Sequence, residues 1–334
     1  MPTFYESLAA LAHSGESAAL GIITETRGSS PQKQGAKALF HADGRITGTM
    51  GGGCLEAEIQ DRARQALLTG KPETFDLVLD HDFGWDDGLV CGGRVGGVIL
   101  PRVESAAPIW TELARRLDRR TWGITPDFEI AWADKEESSM ANGWRYRETV
   151  TPPCALWIAG AGHIAQAVAP LALGLDFAVT VFDDRPALAS HDFFPSAAAL
   201  RVGAWEEILR EPLTAHGVFG LIVTRGHRHD ALVLRHWINR GFAFLGMIGS
   251  RRKARTIKDH FIVEKIGGEK ALAELSCPVG VKIAAQTVPE IAISILAQYI
   301  DQRSAYVSNE TFAGRAAPAG SRGPGPVAVH NGNG

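Results

Sequence analysis

The chain has 334 residues, 45% hydrophobic and 21% charged, with a formal net charge of −3. That length suits two domains, and the mildly acidic balance argues against nucleic acid or an anionic membrane surface as the main partner. No apolar run approaches the roughly 18–20 residues of a membrane-crossing helix. The N-terminal MPTFYESLAALAHSGES lacks the basic start and long apolar core of a secretory signal, so a cytoplasmic protein is expected.

Residues 3 to 14, TFYESLAALAHS, set Phe4, Leu8 and Leu11 on one helical face, and Gly15 follows as a stop. AALGIITET (18–26) reads as a strand and RGSSPQKQGA (27–36) as a turn-rich loop. AKALF, HADGR and ITGTM read as a hairpin with Asp43-Gly44 in its turn. Three consecutive glycines, Gly51, Gly52 and Gly53, then run into Cys54. LEAEIQDRARQALLTG after them is a helix with Leu55, Ile59, Ala63, Ala66 and Leu67 apolar and Gly70 as its cap. ETFDLVL and RVGGVIL are strands flanking the Gly/Asp-rich loop DHDFGWDDGLVCGG (80–93), which carries Cys91. A first, small mixed α+β domain is expected over 1–105. Residues 106–150 read as a linker or extension, with a helix near 108–118 and a polar loop at 134–143. Two prolines in TVTPPC mark a boundary near 150.

From residue 151 to 305 the pattern alternates. CALWIAG, FAVTVFDD, LRVG, VFGLIVT and FAFLGMI read as strands, with helices between them, including one from about Asp230 to Asn239. Such alternation implies an α/β fold, a Rossmann-like doubly wound parallel sheet. VPEIAISILAQYID (288–301) is an amphipathic helix with Ile291, Ile295, Leu296 and Ile300 apolar. The tail 314–334, rich in Gly, Pro, Ala and Ser, is expected to be disordered.

Three clusters in this half carry chemistry. IAGAGHIAQA supplies Gly160-x-Gly162-x-x-Ala165 after an apolar strand and at a helix start. Gly160 permits the tight turn, Gly162 lets backbone approach a phosphate, and the helix start presents free N–H groups to an anion. Asp183, 23 residues past Gly160, sits where a carboxylate binds a ribose, and Arg185 can instead meet a 2′-phosphate, so NAD(P) is one candidate ligand. His163 reads either as a phosphate donor or as a solvent-facing first-turn histidine. In TRGHRHD, His227, His229 and Asp230 follow a strand, the edge where open α/β sheets bind ligands; they can ligate a metal, move a proton or hold a ligand. Asp230 can also simply cap the following helix. In GMIGSRRKART, Ser250 reads as an N-cap, and Arg251, Arg252 and Lys253 load the first helical turn with positive charge. That sign is unfavourable at a helix N-terminus unless an anion compensates.

The four cysteines, Cys54, Cys91, Cys154 and Cys277, form no CxxC pair, so free thiols rather than a disulfide framework are expected. Cys154 and Cys277 read as small buried apolar groups. Cys54 opens a helix, a setting that favours the nucleophilic thiolate, and Cys91 lies in a second glycine-bearing loop.

The order TRGSSPQKQGAKALF, GRITGTMGGGCLEAEI, CGGRV, GAGHIAQAVAPLA, VTVFDDRP, TRGHRHD, GMIGSRRK and PEIAISILA resembles the XdhC/CoxI family, maturation factors of xanthine dehydrogenase and related molybdenum hydroxylases, from about residue 5 to 304. The resemblance implies a factor that binds the molybdenum cofactor (molybdopterin), protects it during sulfuration and inserts it into an apo-hydroxylase. It also implies a cysteine desulfurase as second partner and a homodimer. A pterin phosphate would suit the helix starts and the Arg251, Arg252 and Lys253 cluster. Molybdenum, or a sulfur in transit, would suit Cys54 and Cys91 facing one cavity. The chain departs from the family's usual IGA-x-TPEEIA, reading VKIAAQTVPEIA (281–292): Lys282 and Ala284 stand at positions often acidic and glycine, and Val288-Pro289 reverses the usual placing of proline. An NAD(P)-dependent oxidoreductase and a non-catalytic nucleotide-binding scaffold are the competing readings.

Overall fold

Thr3 opens the first helix, α1 (Phe4–Ser14): its side chain accepts the Glu6 N–H while Glu6 reaches back to the Thr3 N–H, a capping box that satisfies two otherwise orphaned donors. The structure, a computed structural model, describes residues 3–79, 93–134 and 143–313. Cys91 with most of its Gly/Asp-rich loop, most of the polar loop, and the tail from Gly314 lie outside the described residues. The chain divides between Pro152 and Pro153 into two units.

In the first unit, five antiparallel strands form one sheet in the order β3-β2-β1-β5-β4. They are β1 (Ala18–Arg27), β2 (Lys37–His41), β3 (Ile46–Gly48), β4 (Glu73–Leu79) and β5 (Gly93–Leu100). Helix α2 (Gly53–Thr69) covers one face, where Leu55, Ile59, Ala63 and Ala66 join Ile23, Phe40, Phe75 and Ile99 in a shared core. The apolar residues expected along this helix are the buried ones, apart from Leu67 at its margin. The other face packs on α1 and α3 (Ala107–Arg115). A second, three-stranded antiparallel sheet follows, ordered β7-β6-β8: β6 (Arg120–Ile124), β7 (Ile130–Trp132) and β8 (Tyr146–Val150). Trp110 of α3 and Trp122 of β6 share a core with Leu8 and Leu20, and the Trp122 indole donates to the Tyr5 hydroxyl at 3.0 Å. Helix α3 and strands β6 and β8, in the stretch expected to be a linker or extension, are thus built into the first unit through its aromatic core.

The second unit is a five-stranded parallel sheet ordered β11-β10-β9-β12-β13. Its strands are β9 (Ala155–Ala159), β10 (Ala178–Asp183), β11 (Ala199–Val202), β12 (Val218–Ile222) and β13 (Phe244–Met247). Every residue of β9 and β12 is buried, as expected of strands covered on both faces. The helices are α4 (His163–Gly174), α5 (Trp205–Ile208), α6 (His227–Trp237), α7 (Arg251–Val263), α8 (Glu269–Glu274) and α9 (Val288–Ala313). The chain winds β9-β10-β11 to one side, then crosses to β12-β13 on the other, so the direction of winding reverses between β9 and β12. Ligands of doubly wound sheets sit outside the carboxyl ends of the strands at such a reversal. The predicted last helix is real, but its buried face is Ala292, Ile295, Leu296 and Tyr299; Ile300 is exposed and Ile291 only half-buried.

The divergent segment before α9 forms its own N-terminal closure. Thr287 accepts the Glu290 N–H at 3.4 Å, and Glu290 accepts the N–H groups of Gln286 and Thr287 at 2.7 and 2.9 Å. Pro289 falls in the first turn, where an amide has no partner within the helix, so the shifted proline leaves α9 intact. Ala284 occupies φ +54°, a left-handed conformation that a glycine takes without strain.

Candidate functional site

Two loop systems hold the sequence-predicted residues, one in each unit. In the first unit the described ones gather at one end of the five-stranded sheet. β1 runs out into the loop 28–36, β3 into the glycine run, and β4 and β5 meet at Leu79 opposite Gly93, where the segment carrying Cys91 leaves and re-enters the sheet. Gly51, Gly52 and Gly53 all have positive φ, +121°, +71° and +58°. L-residues with side chains rarely hold such angles. Side chains built on Gly52 and Gly53 would meet nothing within 4 Å, so these two leave bare backbone facing open space ahead of Cys54. Gly51 instead packs against Pro31, at 3.0 Å from an ideal Cβ. A Cβ on Gly93 would lie 1.9 Å from the Ser29 carbonyl oxygen. The stretch Ser29–Pro31 therefore touches both the glycine run and the return point of the Cys91 segment.

Cys54 is a free thiol at the second position of α2, half-buried. No side chain caps this helix from outside. The glycine run is tied from within by Glu56, whose Oε2 accepts the Thr49 hydroxyl at 3.0 Å, the Met50 N–H at 2.9 Å and the Gly52 N–H at 3.2 Å. Sequence reasoning passed over Glu56; an acidic residue three positions after the last glycine, in a helix's first turn, is the signal that marks it. Among the described residues no three His, Cys, Asp or Glu side chains converge to hold a metal ion. Cys54 thus has no metal-ligand set around it in the described residues.

In the second unit the glycine turn lies between the ends of β9, β10 and β12. Gly160 has φ +114°, and a Cβ there would stand 2.5 Å from the Val223 carbonyl oxygen, so only glycine fits where the turn meets the end of β12. Gly162 precedes α4 without any side-chain cap, and Gly226 does the same for α6. Both face open space. Two uncapped helix starts therefore flank the winding reversal, where the positive ends of the helices favour an anion. His163 and His227, the first residues of these helices, are both exposed. Helix α6 begins at His227, three residues earlier than expected from sequence.

The charged residues behave differently from the glycines. Asp183 is completely buried, and its carboxylate takes four donors. Oδ2 accepts the Ala161 N–H at 2.6 Å and Arg185 Nη2 at 2.8 Å; Oδ1 accepts the Arg185 N–H at 2.9 Å and Nε at 2.8 Å. Burial alone would raise the Asp183 carboxyl, but the hydrogen bonds from Arg185 and the Ala161 amide outweigh it and hold the group below the usual carboxylate range. Asp230 does not cap α6. It lies inside the helix, wholly buried, and accepts the Thr224 N–H at 3.2 Å and the Thr224 hydroxyl at 2.7 Å on Oδ1, while Oδ2 pairs with Lys253 Nζ. The Lys253 ammonium also donates to the Ile248 carbonyl at 3.1 Å. Of the three cations expected to await an anion, Lys253 is thus turned inward onto a carboxylate of its own, because a buried charge needs a partner; Arg251 and Arg252 are exposed. Ser250 is the N-cap of α7, accepting the Lys253 N–H at 3.2 Å, as expected. Arg225 reaches from the end of β12 to Asp184 at the end of β10, at 2.9 Å, and lies 3.2 Å from His229 Nε2. Cys277 is half-buried near Lys253, and burial pushes its thiol up against the opposing pull of Lys253 and Lys258; Cys154 is buried, as expected. The Asp230–Lys253 and Arg225–Asp184 ties span 23 and 41 residues, so no local motif announces them.

The likeness to known proteins follows the same division. The family described as "XdhC and CoxI family" matches residues 11–78, and the "XdhC Rossmann domain" matches 156–299. The chain belongs to the XdhC and CoxI family. It is 25% identical over 332 residues to a probable xanthine dehydrogenase subunit of Bacillus subtilis, covering 91% of this chain and 98% of that one. It is 25% identical over 294 residues to the molybdenum cofactor insertion chaperone PaoD of Escherichia coli, covering 87% and 85%. A solved structure of a xanthine dehydrogenase from Bacillus halodurans shares the fold with a TM-score of 0.77 at 24% identity, covering 90% of this chain and 96% of that one. The Rossmann match runs from the glycine turn through the Asp183, Asp230 and Lys253 ties into α9, and the N-terminal match takes in the glycine run and Cys54. No helix among the described residues is long and apolar enough to cross a membrane.

Proposed function

We propose that this chain binds the molybdenum cofactor as cargo, holds it while a terminal oxo ligand is exchanged for sulfur, and inserts it into an apo-hydroxylase of the xanthine dehydrogenase type. A cysteine desulfurase supplies the sulfur, and the working form is a cytoplasmic homodimer. The observation that carries the reading is the likeness to the Escherichia coli insertion chaperone over 87% of the chain. The residues support it. A soft metal, or a sulfur bound to it, is matched by a thiol, and Cys54 stands directly behind two glycines that leave backbone bare to an approaching ligand. Ser29–Pro31 touches both that run and Gly93. A phosphate is matched by uncapped helix starts such as those of α4 and α6.

The test is to purify the full chain from a molybdenum-replete host and measure bound molybdenum and the fluorescence of the oxidised pterin. Cys54→Ala is expected to lose most of the bound molybdenum, or most of its sulfurated fraction, with an unchanged melting temperature. Full retention of both by the variant would remove Cys54 from the mechanism. Absence of pterin from the wild-type protein would remove the function.

A further inference from the structure

The glycine turn of the second unit has the outline of a dinucleotide site, and its acidic residue ends the second strand where a ribose hydroxyl would be bound. The carboxylate, however, has no acceptor left to offer. A carboxylate presents about four lone-pair positions on its two oxygens. In Asp183 each oxygen takes one backbone N–H and one guanidinium N–H: Ala161 N–H and Arg185 Nη2 on Oδ2, Arg185 N–H and Nε on Oδ1. The carboxylate side chain is 1% exposed, while Arg185, which covers it, is 29% exposed. The Ala161 amide belongs to the glycine turn itself, so the carboxylate points into the turn rather than outward to a ligand. Arg185 is fixed by the same contacts and lies 3.8 Å from Asp184, so the Nε–Nη2 edge of its fork is spent on Asp183 and its charge is already offset by carboxylates, which weakens its pull on a 2′-phosphate. Asp184 in turn holds Arg225 from the end of β12, which ties the two strand ends on either side of β9.

We propose that Arg185 is a specificity-determining residue: by clamping Asp183 it closes the ribose subsite, so that the glycine turn of this chain rejects NAD and NADP. The ligand of the second unit is then one recognised without a ribose diol, such as a phosphate monoester. This rests on the functional reading above only for the nature of that ligand; the closure itself rests on Asp183 and Arg185.

The experiment is calorimetric titration of the full chain with NAD⁺ and with NADP⁺, for wild type, Arg185→Leu and Asp183→Ala/Arg185→Leu. The wild type is expected to bind neither measurably. Removing the guanidinium leaves each oxygen of Asp183 with one backbone donor and one free acceptor position. Arg185→Leu is therefore expected to bind NAD⁺ measurably, about tenfold or more tighter than the weakest affinity the titration detects, the scale of a freed hydrogen bond, and the double variant to lose that binding. Saturable binding of NAD⁺ or NADP⁺ by the wild type overturns the proposal. So does an Arg185→Leu protein that melts like the wild type yet gains nothing, because the closure would then lie elsewhere. If Arg185→Leu does not fold, Arg185→Lys, which keeps the charge but cannot span both oxygens, is read by the same criterion. Molybdenum content of the wild type, measured alongside, separates failure of this inference from failure of the cargo-binding role.

Discussion

The glycine-rich end of the first unit's sheet and the strand ends of the second make two ligand-type surfaces in opposite ways. In the first, the chain strips side chains from Gly52 and Gly53 and ties the run with the half-buried Glu56 carboxylate and the Thr49 hydroxyl, which accepts the Gly51 N–H. In the second, bare backbone at Gly162 and Gly226 stands among loops fastened by paired charges: Asp183 with Arg185, Asp184 with Arg225, Asp230 with Lys253. Cutting the neutral-donor hydrogen bonds of the glycine run strands no cation, whereas a buried ion pair fixes geometry and makes its loss severe, since removing one partner strands the other. The charges nearest the glycine turn are therefore scaffold, and the amides are the groups left open there.

The largest effect should come from the deepest of these ties. Lys253→Met leaves Asp230 buried without its cation and is expected to destabilise the second unit by about 3 kcal/mol. Replacing both partners, as Asp230→Leu/Lys253→Met, should recover part of that, and urea unfolding of both variants reads the difference. A loss under about 0.5 kcal/mol, the range of ordinary surface changes, would erase the contrast between the two units. In the first unit, Glu56→Ala removes three hydrogen bonds from the glycine run but strands no charge, and about 1–2 kcal/mol is expected. Its clearer signature is bound molybdenum falling more than stability does. The smallest effect is on pH. Asp183 is held below its unfolded value of about 3.9, so its contribution is complete above that pH and fades as the pH falls through the folded value. Urea midpoints of wild type and Asp183→Asn should therefore begin to draw together only below about pH 4 and stay separated at about pH 6; convergence already at the higher pH would mean that the carboxylate is not clamped.

Much of this fold is written in local pattern. The helical spacing of Leu55, Ile59, Ala63 and Ala66 and the apolar runs of β9 and β12 reflect burial on one stripe or on two faces, and burial has a period that a sequence displays. The glycines were legible for a similar reason, since Gly160 sits at a backbone angle and a spacing that few other residues satisfy. The last helix buries Ile295 and Leu296 and packs Ile291 on the core as its spacing predicts, but its margin differs, with Ile300 exposed and Tyr299 buried, because which residues lie inward depends on α4 and the sheet it packs against. The roles of the charged residues were the least legible. Asp230 and Lys253 stand beside glycine turns, where a motif assigns them to a cap or a ligand, yet they pair with each other across 23 residues; Arg225, which no motif singles out, reaches Asp184 across 41.

The sequence by itself determined the two-part α/β organisation, the doubly wound second half, the glycine turns and the thiol at the head of α2, because steric freedom and burial periodicity act over a few residues. Only the tertiary structure decided which charges are available. Electrostatic pairing in a buried setting is settled by whatever opposite charge folding brings within about 3 Å. Here that pairing sets Lys253 against Asp230 and Arg185 against Asp183, and it leaves the uncapped amides of α4 and α6 as the open anion-seeking groups at the reversal of winding.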